Sequence, residues 1–348
     1  MQLFERTVEN IHPLSKLHMN AAKERLDSLI KPVGSLGKLE DICIQLSGIF
    51  EKKYFDIDKK AIIAFAGDHG VYEEGVAPDP QVITKLQFPN FTKGICGVGA
   101  ISKFVNADVF AIDLGINTDE KLEGVLDYKI RKGTSNMAKG PAMTREEAIR
   151  ALEVGIEITN DCISKGYNII GIGEMGICNT TPSSAIVSVI AECDPIEVTG
   201  IGAGLKKDRV AHKAEIIRKS INLNRPNRLD GVDILSKVGG FEIAGMAGVI
   251  LACAAKRIPV VIDGFISYAA ALIAYTINPT TKEYMIASHT SAEPGAKKSL
   301  EILDLNPMLN MDMRLGEGSG AALAFNIIEA ANFTYKNMST TDEVDIGK

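Results

Sequence analysis

Three short stretches of the 348-residue chain set charged or hydroxyl side chains among glycines, which lets main chain approach a ligand closely. The first, GIGEMGICNTT at 171–181, holds one carboxylate, Glu174, and leads an apolar run into two threonines and a proline. Thr181 reads as an N-cap and Pro182 as the first helical residue. The amides near Cys178, Asn179, Thr180 and Thr181 can then face an anion such as a phosphate. An ordinary glycine-rich turn fits the same letters. The second, TGIGAGLKKDRVAHK at 199–213, carries Gly202, Ala203 and Gly204 and opens another helix. Lys213, about two turns in, can reach back to a phosphate, although spacing alone favours a solvated lysine on a polar face. The third, LGEGSG at 315–320, puts Glu317 between Gly316 and Gly318 before a helix that Ser319 can cap. A carboxyl held there against an apolar pocket would have its pKa raised and could act as a general base; compensation of the helix dipole is the plainer reading.

Other candidates carry less. In AGDHGV, Asp68 and His69 end a strand; the remaining histidines show no ligand spacing, so a structural turn is expected there and no metal site. Asp263 in VVIDGF reads a sugar hydroxyl or pyridine substituent, or merely caps a turn. Ser291 in SHTSAEPG lacks a GxSxG elbow and is a loop hydroxyl that caps or binds. The glycine loop at 200–204 is not GxGxxG and has no acid at the dinucleotide spacing, which argues against an NAD-dependent oxidoreductase.

The elements that must position these residues are visible as apolar runs. AIIAFAGDHG, DVFAIDLGI, NIIGIGEMG, IPVVIDGF and YMIASHTS read as buried parallel strands, and helix-like segments such as REEAIRALEVGIEITNDCISKG lie between them. The expected fold class is α/β, a parallel sheet flanked by helices. Residues from about 1 to 50 and 319 to 340 are helical in pattern. The expected organisation is a single catalytic unit over 1–348, with a large domain at about 40–300 and a small helical subdomain from about 1–30 with 310–348. A net charge of -6, without a basic block, excludes a nucleic-acid footprint; scattered cysteines and the absence of a signal or spanning segment lead to an expectation of a cytoplasmic protein with no membrane association.

Taken in order, KPVGSLGKLE, AGDHGV, GIGEMGICNTT, GGFEIAGMAG, PVVIDGF, SHTSAEPG and LGEGSGAALA resemble the nicotinate-nucleotide:dimethylbenzimidazole phosphoribosyltransferase family. The resemblance runs from about residue 31 to 325. It implies a Rossmann-like large domain, and transfer of the phosphoribosyl group of nicotinate mononucleotide onto the lower-ligand base of a cobamide, giving an α-riboside phosphate and nicotinate. Glu317 would be the general base and Glu174 would steady charge at the ribose. The loops Gly176 to Thr181 and Gly202 to Gly204, with Lys213 and Ser291, would hold the phosphate, and Asp263 would lie near the nucleotide. No cofactor or metal is implied. A dimer is, either of identical chains or with a paralogue.

The family pattern is not followed everywhere. Ala296 follows EPG where a histidine is common; Ala77 replaces a serine; and Leu86 stands where a base-pocket glutamine is expected, although Gln81 and Gln87 are close. With Pro78, Met175 and Leu315, these suggest a more apolar acceptor pocket and raise phenol or p-cresol as alternative acceptors. A non-catalytic, nucleotide-binding regulatory subunit is the alternative from another class.

Overall fold

A computed structural model describes residues 2–202 and 204–344. Six strands form one parallel sheet in the order β3-β2-β1-β4-β5-β6: β1 (Lys60–Gly67), β2 (Ala107–Gly115), β3 (Val125–Asp127), β4 (Ile169–Met175), β5 (Val260–Ile262) and β6 (Met285–Ala287). Five coincide with the apolar runs read from sequence. The sixth, β3, pairs with β2 over only three residues and its letters, VLD, give no signal of their own.

All eight residues of β1 are buried, which explains a run with no polar alternation. Its successive side chains serve opposite faces. Ile62 packs toward the last helix, Ser319–Asn337, whereas Phe65 meets Gly245 of the central helix Phe241–Ala255. Helices therefore cover both faces. Arg145–Ser164 packs along the central helix, and its start is fixed by a capping box in which Thr144 accepts from the Glu147 amide.

The helical ends meet. Lys38–Phe50 packs on Ser319–Asn337, and Arg25 donates to the carbonyl oxygens of Lys336 and Met338. The last helix also contacts β1, β4 and β5, so it belongs to the layer that covers the sheet.

The chain lays β1, β2 and β3 outward in one direction and β4, β5 and β6 in the other. Strand order reverses between β1 and β4, and ligands of open parallel sheets bind beyond the strand ends at such a point. Among the described residues, no helix is long and apolar enough to cross a membrane.

Candidate functional site

A cavity opens beyond the C-terminal ends of β4 and β5, and Glu174 and Glu317 both line it. Glu174 sits one residue before the end of β4, while Glu317 arrives from the loop that precedes the last helix. They are 143 residues apart, yet the Glu317 amide donates to Oε1 of Glu174 at 3.3 Å. Small residues permit this approach. A Cβ on Gly173 would run into the Glu317 carbonyl, and Gly316, Glu317 and Gly318 all have positive φ (80°, 64° and 98°), a run that side chains resist.

Glu317 is 6% exposed. Its Oε2 accepts from the Val98 amide at 3.0 Å, and its Oε1 from Gln87 Nε2 at 3.2 Å; Gln87 in turn accepts from Asn90 at 3.1 Å. The carboxylate is thus held at the cavity wall by donors from the 83–104 region. Burial pushes the neighbouring Cys96 thiol up to about 11, with Glu317 adding to the shift.

Glu174 is enclosed more tightly in charge. Burial raises its carboxyl to about 8, helped by the negative Asp263 and Glu242, although hydrogen bonds from Asn179 and the Glu317 amide oppose the rise. A raised carboxyl thus stands at Glu174, the acid that arrives on a strand tip.

The loop after β4 departs from its sequence reading by two residues. The helix Thr180–Ala191 has Asn179 as its N-cap; Thr181 lies inside it, fully buried and away from the cavity, and Pro182 is its third residue. Cys178 turns the chain with φ +70°, which brings Gly176, Ile177, Asn179 and Thr180 to the cavity. Cys178 itself faces a smaller adjoining space shared with Ala77, Pro78, Gly202 and Lys213.

Lys213 overturns the expectation of a solvated face. It is 1% exposed, and its Nζ donates to Thr180 Oγ1 at 2.6 Å across the adjoining space from Gly202. Burial lowers its ammonium to about 8, against the pull of Glu293. Periodicity could not show this because the helix Val210–Asn224 lies with that face against the loops. Gly202 lines both spaces, whereas Gly204 lines neither, and Ala203 lies outside the described residues.

Asp263 directly follows β5 and serves the last helix. Its Oδ1 accepts from Gly320 at 2.7 Å and Ala321 at 3.2 Å, and its Oδ2 from Gly318 at 3.1 Å. Spacing makes Ser319 the cap of that helix; instead its hydroxyl donates to Gly316, and Asp263 supplies the capping oxygens from another strand. Asp263 remains at the cavity wall. Asp263→Ala is expected to orphan three buried amides and cost about 3 kcal/mol of stability, read by urea denaturation.

Leu86 does not reach the pocket. It is 63% exposed, and the next residue, Gln87, lines the cavity and holds Glu317. A glutamine therefore lines the cavity one position along from Leu86, because Leu86 and Gln87 fall on different sides of a short helix. Met175 lines the cavity, as does the exposed Leu315 at its mouth. Ala296 is fully buried in the helix Pro294–Leu303 and leaves no room for an imidazole without repacking.

Asp68 and the extended His69 lie between β1 and a short 3-10 turn at Gly70–Glu74, not in the expected turn. Asp68 accepts from Thr84 Oγ1 at 2.7 Å and from the Asn117 amide at 2.8 Å. Ser291 accepts weakly from the Glu293 amide at 3.4 Å and lines the cavity. Sequence reasoning missed Glu293, which accepts from the Gly202 amide at 3.0 Å and so ties down the second glycine loop. It also missed Arg314, an exposed cation at the mouth. Neither has a periodic or motif signal; only an acid placed before Pro-Gly and a base placed before Leu-Gly were there to be noticed.

A carboxylate pair over one space, beside a buried ammonium and helix-opening amides, can hold a phosphate, stabilise a cationic carbon and take up a proton. A phosphoribosyltransferase family model (DBI_PRT) matches residues 11–346. The chain is 73% identical over its whole length, and the whole of the other, to a nicotinate-nucleotide–dimethylbenzimidazole phosphoribosyltransferase of Clostridioides difficile strain 630. It is 52% identical, over 99% of each chain, to one so named from Alkaliphilus metalliredigens. Among solved structures, CobT from Thermus thermophilus superposes with a TM-score of 0.91 at 33% identity, covering 95% of this chain and 99% of that one.

Proposed function

Since the chain belongs to the nicotinate-nucleotide–dimethylbenzimidazole phosphoribosyltransferase family, which acts in cobamide lower-ligand synthesis, we propose how its cavity carries out the transfer. The phosphate of nicotinate mononucleotide lies against Lys213 and the amides after β4, which places the ribose C1′ beneath Glu174. The C1′–pyridinium bond breaks, its electron pair returns to the ring nitrogen, and nicotinate leaves without needing a general acid. Positive charge developing at C1′ is stabilised by the Glu174 carboxylate in a site that excludes water. A ring nitrogen of the acceptor attacks C1′, and the proton on its other nitrogen passes to Glu317.

The observation that carries this reading is the contact between Glu174 and the Glu317 amide, since it sets both acids over one cavity beside Lys213. The test is incubation with nicotinate mononucleotide and dimethylbenzimidazole, with release of nicotinate and formation of the α-riboside phosphate as the expected result. Phenol and p-cresol serve as competing acceptors. Gln87 at the cavity weakens the sequence argument that raised them as alternatives, so slower turnover is expected. Binding of the mononucleotide without any turnover would overturn the assignment.

The chain works as one catalytic unit, with the helical ends as its smaller part, and pairs with a second subunit. Exposed Leu86, Ile95 and Phe104, at 63%, 71% and 78%, support pairing because they leave apolar surface on the segment that holds Glu317.

The pH dependence follows from two groups. Glu174 must be ionised, so kcat/KM falls as pH drops through about 8; Lys213 must be charged, so kcat/KM also falls as pH rises past about 8. A narrow bell is expected. Bound substrate brings a cationic ring toward the acid and a dianion toward the lysine, which lowers the first value and raises the second. The kcat profile should therefore be the broader one, and a kcat bell as narrow as that of kcat/KM would contradict these roles.

A further inference from the structure

Beneath the loop that follows β4 lies a buried pair to which the steps above give no part. His69 Nε2 stands 2.9 Å from Glu242 Oε1, with His69 1% and Glu242 0% exposed. Glu242 occupies the first turn of the central helix, whose N-terminal dipole favours negative charge. Neither oxygen of Glu242, nor His69 Nε2, has a hydrogen-bond partner of good geometry among the described residues, so the contact is an ion pair by distance.

Three backbone positions close over the pair without side chains. A Cβ on Gly240 would lie 2.6 Å from His69 Cε1 and 2.8 Å from Glu242 Oε2; one on Gly67 would lie 3.0 Å from the same oxygen; and one on Gly176 would lie 3.3 Å from His69 Nε2. The pair thus touches the end of β1, the start of the central helix and the first residue of the ligand loop. This is the switch point of the sheet, sealed one layer below the cavity.

A buried ion pair is seldom the most stable filling for such a space, because desolvation offsets its attraction. Its surroundings suggest another use. Burial works against a charged imidazole, but Glu242, Asp68 and Glu174 together outweigh it, so His69 is held above its ordinary range. Glu174 is itself faced by Asp263 from β5 and Glu242 from the central helix, both of which disfavour its charge.

We propose that His69 and Glu242 are positioning residues for the transfer: they seat the loop beginning at Gly176, and the imidazolium offsets the carboxylates that crowd Glu174, so that Glu174 can ionise beside C1′. This rests on the role given to Glu174 above.

The experiment is a pH series on the full chain with His69→Gln, Glu242→Gln and Glu174→Gln. In His69→Gln the acidic limb of kcat/KM is expected to move up by about one pH unit, giving about a tenfold deficit at pH 7 that closes in strongly alkaline buffer, with little change in KM. Glu242→Gln removes a crowding carboxylate together with the partner of the imidazolium, so a smaller displacement is expected. A loss of the same factor at every pH would mark a merely structural role and overturn the proposal. Histidine NMR on the unmodified protein reads the same point without any variant. The His69 midpoint should lie above that of a free imidazole, and a midpoint at or below the free value would overturn the proposal. If Glu174→Gln keeps full activity, it is the role of Glu174 that falls; if it is crippled while the His69→Gln limb stays in place, only the role of the pair falls.

Discussion

Glu317→Gln is expected to lower kcat with dimethylbenzimidazole by about a thousandfold while leaving the KM for nicotinate mononucleotide nearly unchanged. General bases contribute roughly two to four orders of magnitude, and this acid takes its proton from the acceptor, not from the nucleotide. The substitution keeps the size of the side chain. Its remaining oxygen can accept from the Val98 amide, and the Gln87 amide can turn to accept from the new NH₂ group. The fold should therefore survive, as circular dichroism would show. Steady-state rates measured with each substrate varied in turn check the split, and a variant that retains more than a third of its kcat would remove Glu317 from the mechanism.

Lys213→Met is expected to lower kcat/KM for nicotinate mononucleotide by about a hundredfold, mostly through KM, because a charge-assisted contact to phosphate in a dry site is worth roughly 2–3 kcal/mol. The same change should leave stability intact or raise it, since an unbranched apolar chain replaces an ammonium that burial already drives down to about 8. The two readouts separate a ligand role from a structural one. Paired measurement of KM and urea midpoint decides between them; a fall in stability with unchanged KM would show that Lys213 serves only Thr180.

Lys213 also shows where one-dimensional reasoning stops. Residues 210–224 have the right period for a helix, and Val210, Ala214 and Ile217 mark an apolar stripe, which leaves Lys213 on the polar side. A face that is polar by count is also buried when glycine loops from elsewhere fold over it. The order of residues in a helix does not record what will lie against its other side.

The strands were legible for a simple reason. A parallel strand covered on both faces needs an unbroken apolar run, and β1, β2, β4, β5 and β6 each have one ending in glycine or polar loop residues. The glycine pattern around Glu174 and Glu317 was legible as well, because close backbone approach and positive φ restrict the choice of residue locally. The caps were less so. Thr181 and Ser319 look like N-caps by spacing, yet Asn179 takes one position and Asp263 reaches across from β5 to serve the other.

By itself, then, the order of amino acids determined the layered parallel fold, the glycine-rich loops and the two carboxylates at their tips, since each depends on local sterics or on burial along one element. Which of those groups share a cavity was decided only in three dimensions: Glu317 meets Glu174, Gln87 meets Glu317, and His69 meets Glu242. The register of a six-stranded sheet and the covering of its faces place these partners, and so set how much water and charge surrounds each acid. That environment, more than residue type, fixes which carboxyl is raised and which lysine is buried.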